Sequence, residues 1–245
     1  MLNKRALNYT LQEFINEARH EFYEYTKLNP ILLITIGGIL VFLIIFYFIA
    51  RCKYPKGRNT VIFVIALMIL DFCLDVAFVV NNVWDVPFLF LPSLLTILVP
   101  AGFNVFSAFV VMIQQTFSKN NGELFKKWLH RHTTMAGAFT ILSMLHIEIL
   151  KLLTSNLLHL DLFNAPFNNT ARKLLFTVGL INVFIEDIPQ FVILILYFKG
   201  VGINFTFIPL FTLFINFISL LSTAINRIYE LISFPSDKSE RQHHN

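Results

Sequence analysis

Charge is scarce in this chain, cysteine nearly absent, and every familiar catalytic signature missing. Only 14% of the 245 residues are charged while 56% are hydrophobic, a balance that excludes an ordinary soluble domain. There is no HExxH, no GxSxG, no phosphate-binding loop and no Cys/His cluster with zinc spacing, so no enzyme, metal centre or cofactor is expected. The two cysteines, Cys52 and Cys73, exclude a disulfide framework. Cys52 beside Arg51 and Lys53 permits acylation, although an ordinary thiol is the plainer reading. The apolar runs are continuous rather than alternating, which excludes a barrel. The net charge of +4 comes from basic residues in short loops between apolar runs, which argues against nucleic acid as a partner.

What remains is length of apolar sequence. Residues 31–50, 60–80, 88–113, 134–153, 174–198 and 203–224 are each long enough to cross a bilayer as a helix. The expected fold is all-α, a polytopic transmembrane bundle of about six spans over 31–232. Pro100 and Pro189 are candidate kinks. Ahead of it, Leu11, Phe14, Ile15, Ala18, Phe22 and Tyr25 recur at helical spacing, predicting an amphipathic interfacial helix within 1–30. Residues 233–245 are polar and read as a disordered tail.

Loop charge sets the orientation. Residues 51–59 carry Arg51, Lys53, Lys56 and Arg58, and 117–133 carry Lys119, Lys126, Lys127 and Arg131 against Glu123, so both are expected on the cytosolic side. The connections 81–87 and 154–173 are poorer in positive charge and are expected opposite, as are both termini. Sequons at Asn8 and Asn168 fall on that outer side, whereas the one at Asn204 hugs a membrane end and reads as a chance match.

Two of the apolar runs contain acids. Asp71 and Asp75 are spaced i,i+4 on one helix face, and Glu186 and Asp187 interrupt the fifth run just before Pro189 and Gln190. An acid at a helix centre costs roughly 2.5–3.5 kcal/mol on insertion scales, so such residues face protein, water or a cation. Pro189 lacks an N–H and exposes the Ile185 carbonyl beside them. Asn182 lies one turn from Glu186 on the same face. His146, Glu148 and Lys151 are expected in the outer half of the fourth span, with Lys151 as the nearest cation. Asn216, Ser219, Ser222 and Asn226 form a polar stripe followed by Arg227, and Gly102, Asn104 and Ser107 form a weaker polar spot. Two readings stay open: contacts that fix helix packing, or a hydrated path lined by Asp71, Asp75, Glu186, Asp187 and Gln190.

Leu70-Asp71-Phe72-Cys73-Leu74-Asp75 resembles the paired-aspartate helix of the XK-related membrane proteins. Ile185-Glu186-Asp187-Ile188-Pro189-Gln190-Phe191 is similar to their Glu-Asp-x-Pro-Gln helix. The resemblance covers roughly 60–230 and extends weakly to Ser219-Leu220-Leu221-Ser222. It implies a multi-pass protein of the plasma membrane or an endomembrane, with membrane lipids and a bridge-like lipid-transfer protein as partners. The implied activity is movement of phospholipid across the bilayer past intramembrane charges. The alternatives are an ion- or proton-coupled transporter or channel using the same carboxylates, and a structural or sensory membrane protein.

Overall fold

The computed structural model describes residues 16, 19–20, 23, 27, 30–55, 59–119, 121–201 and 207–233. The expected amphipathic helix within 1–30 lies largely outside these residues, as does the tail after Ser233. The sequons at Asn8 and Asn204 lie outside them too. Among the described residues the regular structure is helical throughout. An apolar 24-residue helix, α1, spans Pro30–Lys53. It is followed by α2 (Val61–Asn81), α3 (Phe90–Thr116), α4 (Gly122–Arg131) and α5 (Thr133–Leu142). A 3-10 segment, Ile147–Thr154, precedes α6 (Asn169–Asn182), which runs through a π-helical turn, Val183–Asp187, into α7 (Ile188–Val201). The last helix is α8 (Phe207–Ser233). Among the described residues, four helices are long and apolar enough to cross a membrane: Val61–Asn81, Pro87–Thr116, Asn169–Val201 and Phe207–Ile225. That marks the chain as an integral membrane protein.

Each of these helices follows from local sequence. α2 is apolar apart from Asp71, Asp75 and its terminal Asn81 and has no Gly or Pro, and at about 1.5 Å per residue its 21 residues match the roughly 30 Å hydrocarbon core. Two 3-10 turns, Val83–Asp85 and Pro87–Leu89, reverse the chain, with Pro87 at the first position where its missing N–H costs nothing. The far end of α7 closes onto this turn. Tyr197 donates its hydroxyl to Asp85 at 2.7 Å. Gly200 abuts Val86 so closely that a Cβ would stand 3.0 Å from a Val86 methyl. α8 packs along α2 and α7, and α3 along α6.

The fourth expected span is not a span. Residues 134–153 break at His146, whose backbone is extended (φ −168°, ψ 136°) and whose Nδ1 accepts the Glu148 amide at 3.2 Å. α5, with 10 residues, is about 15 Å long. The 3-10 segment, with eight, covers about 16 Å. Each arm reaches only half-way across. The second arm returns to the end from which the first departed. Leu153 C=O accepts from Ala165 N–H at 2.7 Å, and Trp128 Nε1 donates to the Asp161 carbonyl at 2.9 Å. Residues 133–154 thus form a re-entrant hairpin. Its non-helical backbone is tolerated because Ile147, Ile149, Leu150, Leu152 and Leu153 are buried in protein.

This corrects both the six-span order and the side expected for 154–173. Asn168 caps α6 by accepting from Ala171 N–H at 2.8 Å. It also takes a 2.6 Å bond from Gln115 Nε2 and donates to Ser118 Oγ at 2.9 Å. The end of α3 and the start of α6 are therefore neighbours at one end of the bundle. The loops 117–133 and 154–168 share that end with the start of α2. The sequon at Asn168 accordingly faces the same way as the basic loops, and its side chain is committed to structure. Every strongly basic connection is now on one face, which satisfies the charge rule better than the expected order did.

Candidate functional site

The helical register of α2 turns Asp71 and Asp75 to the interior that the π turn faces with Glu186 and Asp187. Asp75 and Asp187 are buried, with about 6% of each exposed. Asp75 feels the charges of Asp71, Glu186 and Asp187 and sits against Gln190, while Asp71 sits against Ser219 of α8. Glu186 feels Asp187 and Asp71 and lies beside Asn104 of α3. Carboxylates from two spanning helices are thus within electrostatic reach of one another, near the middle of each span. Pro189 is half-buried beside them.

The π turn explains how two adjacent acids fit here. Ile188 N–H bonds to the Val183 carbonyl five residues back, so the helix takes in one extra residue per turn just before the proline that cannot donate. The widened turn lets Glu186 and Asp187 both approach the interior, which a regular helix would spread by about 100°.

Polar groups from every neighbouring helix complete the layer. Asn182, fully buried, donates to Asn104 Oδ1 at 2.5 Å. α8 contributes a buried row of Thr212, Asn216, Ser219, Thr223 and Arg227 at steps of three or four. Sequence reasoning had Asn216, Ser219 and Arg227 but missed Thr212 and Thr223, whose spacing from Asn216 and Ser219 was the available signal. Ser222 is only half-buried, and the Asn226 side chain lies outside the description. Asp71 Oδ1, Asp75 Oδ1, Glu186 Oε2, Asp187 Oδ2, Asn104 Nδ2, Asn182 Oδ1 and Asn216 Nδ2 are all buried without a hydrogen-bond partner. Buried polar atoms are costly unless paired, about 1–3 kcal/mol each, so this layer calls for water, protons or a polar guest.

The cationic part of the site differs from expectation. His146, Glu148 and Lys151 sit in the re-entrant hairpin, toward the basic end rather than the outer half, and Asn182 likewise lies on the basic side of Glu186. Lys151 Nζ is 3.2 Å from Glu148 Oε1. The cation whose charge reaches Asp187 is Arg227, which forms a buried ion pair with the same Glu148 oxygen. The Arg227 guanidinium also stacks 5.2 Å from the Phe176 ring centre. It occupies the space a side chain at Gly179 would fill. Gly179 is ten residues into α6 and so about 15 Å from its start, which sets the depth of the pair. No group of three or more His, Cys, Asp or Glu among the described residues is arranged to hold a metal ion.

No protein-family model, curated protein or solved structure matches this chain.

Proposed function

We propose that the protein moves phospholipid across the bilayer, or serves as the membrane scaffold for a lipid-transfer partner, with Asp71, Asp75, Glu186, Asp187 and Gln190 along a polar intramembrane path. One observation carries this reading: acids from two spans face a common buried layer whose polar atoms lack partners. A layer built only to hold helices together would pair those atoms, because unpaired polar groups work against packing. A head group has both charge and hydrogen-bonding capacity to offer them. The likeness of the two acidic helices to those of XK-related proteins favours lipid over a free ion. In this reading α1 adds a fifth crossing.

The test is reconstitution into liposomes with a fluorescent-lipid assay and a parallel ion-flux assay. Lipid exchange without ion flux is the expected outcome, and Glu186→Gln with Asp187→Asn should abolish it while the protein still inserts. Ion flux without lipid exchange selects the coupled transporter. Lipid exchange unaffected by both neutralisations makes the acids structural.

A further inference from the structure

We infer that the exposed face of α4 is a seat for anionic phospholipid head groups of the leaflet that receives the re-entrant hairpin. The helix is amphipathic across its short length. Phe125 and Trp128 are buried against Phe167 and its neighbours, whereas Lys126, Lys127 and Arg131 are exposed, with Lys119 just before the helix. Glu123 and Asp161 are the acids on this surface, and Asp161 stands 3.7 Å from Arg131. The surface keeps a surplus of positive charge.

Location and apolar content identify the occupant. α4 joins the end of a spanning helix to the first arm of the hairpin, so both of its ends are tied to membrane-embedded elements and it lies at the level of the head groups. Phe117 and Leu124 are 76% and 59% exposed on the same surface as the lysines, and Lys126 Nζ lies 5.8 Å from the Phe117 ring centre. Apolar side chains interleaved with lysines suit the boundary between acyl chains and head groups, where stems lie in the former and ammonium groups reach the latter. An acidic protein partner would satisfy the lysines alone. The charge rule makes this the cytosolic leaflet, the one rich in anionic lipid.

The full-length protein, with Cys52 and Cys73 replaced by Ser, is reconstituted in phosphatidylcholine vesicles with and without phosphatidylserine. Phosphatidylserine should raise the thermal unfolding midpoint, and the rise should fade with added salt, since each basic residue near an anionic surface is worth about fivefold in association. Lys126→Gln with Lys127→Gln should lose the rise, and Lys126→Arg with Lys127→Arg should keep it. A nitroxide at Leu124→Cys should be reached by oxygen more readily than by a water-soluble nickel chelate. A rise that survives the Gln pair, no rise at all, or a Leu124 probe open to the chelate would each overturn the assignment, the last leaving the face to a cytosolic protein.

Discussion

Arg227 near the end of α8 and Glu148 in the re-entrant hairpin form a buried ion pair across 79 positions of sequence. It fastens a segment that enters only half the membrane to the last helix of the bundle. Lys151 shares the same carboxylate oxygen, so two cations converge on one acid.

Removing Glu148 leaves the buried Arg227 guanidinium without its carboxylate, whereas removing Arg227 leaves Glu148 its contact with Lys151. Glu148→Gln should therefore cost about 3–5 kcal/mol and Arg227→Met less, and the paired Glu148→Met and Arg227→Met variant should recover much of the Glu148→Gln loss. Reversible unfolding in mixed detergent micelles gives the comparison. Single variants within about 0.5 kcal/mol of the parent would show that the pair holds nothing.

Gly179 is the floor on which the guanidinium rests. Gly179→Ala places a methyl group where Arg227 lies and should cost about 1–3 kcal/mol, the usual range for overpacking. In an Arg227→Met background the penalty should largely disappear. Strict additivity of the two changes would remove the proposed close approach.

The hairpin sets a labelling pattern. Cysteines introduced at Lys119 and Asp161 should react from the same side of the membrane, and one at Trp84 from the other. Lys119 and Asp161 reacting from opposite sides would restore a full crossing between them.

Asn168 should carry no glycan although it begins a sequon, because its amide caps α6 and ties it to Gln115 and Ser118. Asn168→Ala should cost about 2 kcal/mol from the lost cap and the unpaired Gln115. Thr170→Ala removes the sequon but leaves those contacts, and should leave stability unchanged and alter the mass only by the difference between the two side chains. A mass shift on deglycosylation that Thr170→Ala eliminates would contradict the placement.

The four long spans were visible as apolar runs because hydrophobic length is a local property. So was the shared face of Asp71 and Asp75, fixed by the four-residue step. The hairpin was not visible. Residues 134–153 have the composition of a span, and the ion pair that holds their second arm joins Glu148 to Arg227, a distant partner that no local pattern announces. The pairing of Asn182 with Asn104 was hidden for the same reason. Pro189 signalled a lost donor but not the remedy, a π turn that widens the helix rather than a simple kink. The sequon at Asn168 misled because a three-residue motif takes no account of what its asparagine already binds.

The ion pair also imposes an order on biosynthesis. Glu148 leaves the ribosome well before Arg227, and at about 5–20 residues per second the 79 intervening positions take roughly 4–16 s. During that interval the hairpin carries its acid with only Lys151 as partner and has no complete bundle to enter. Its final docking therefore waits until Arg227 has been made. The last helix is the clasp that lets a half-inserted segment settle, and truncation within α8 would leave the hairpin outside the folded bundle while α2, α3 and α6 were already across.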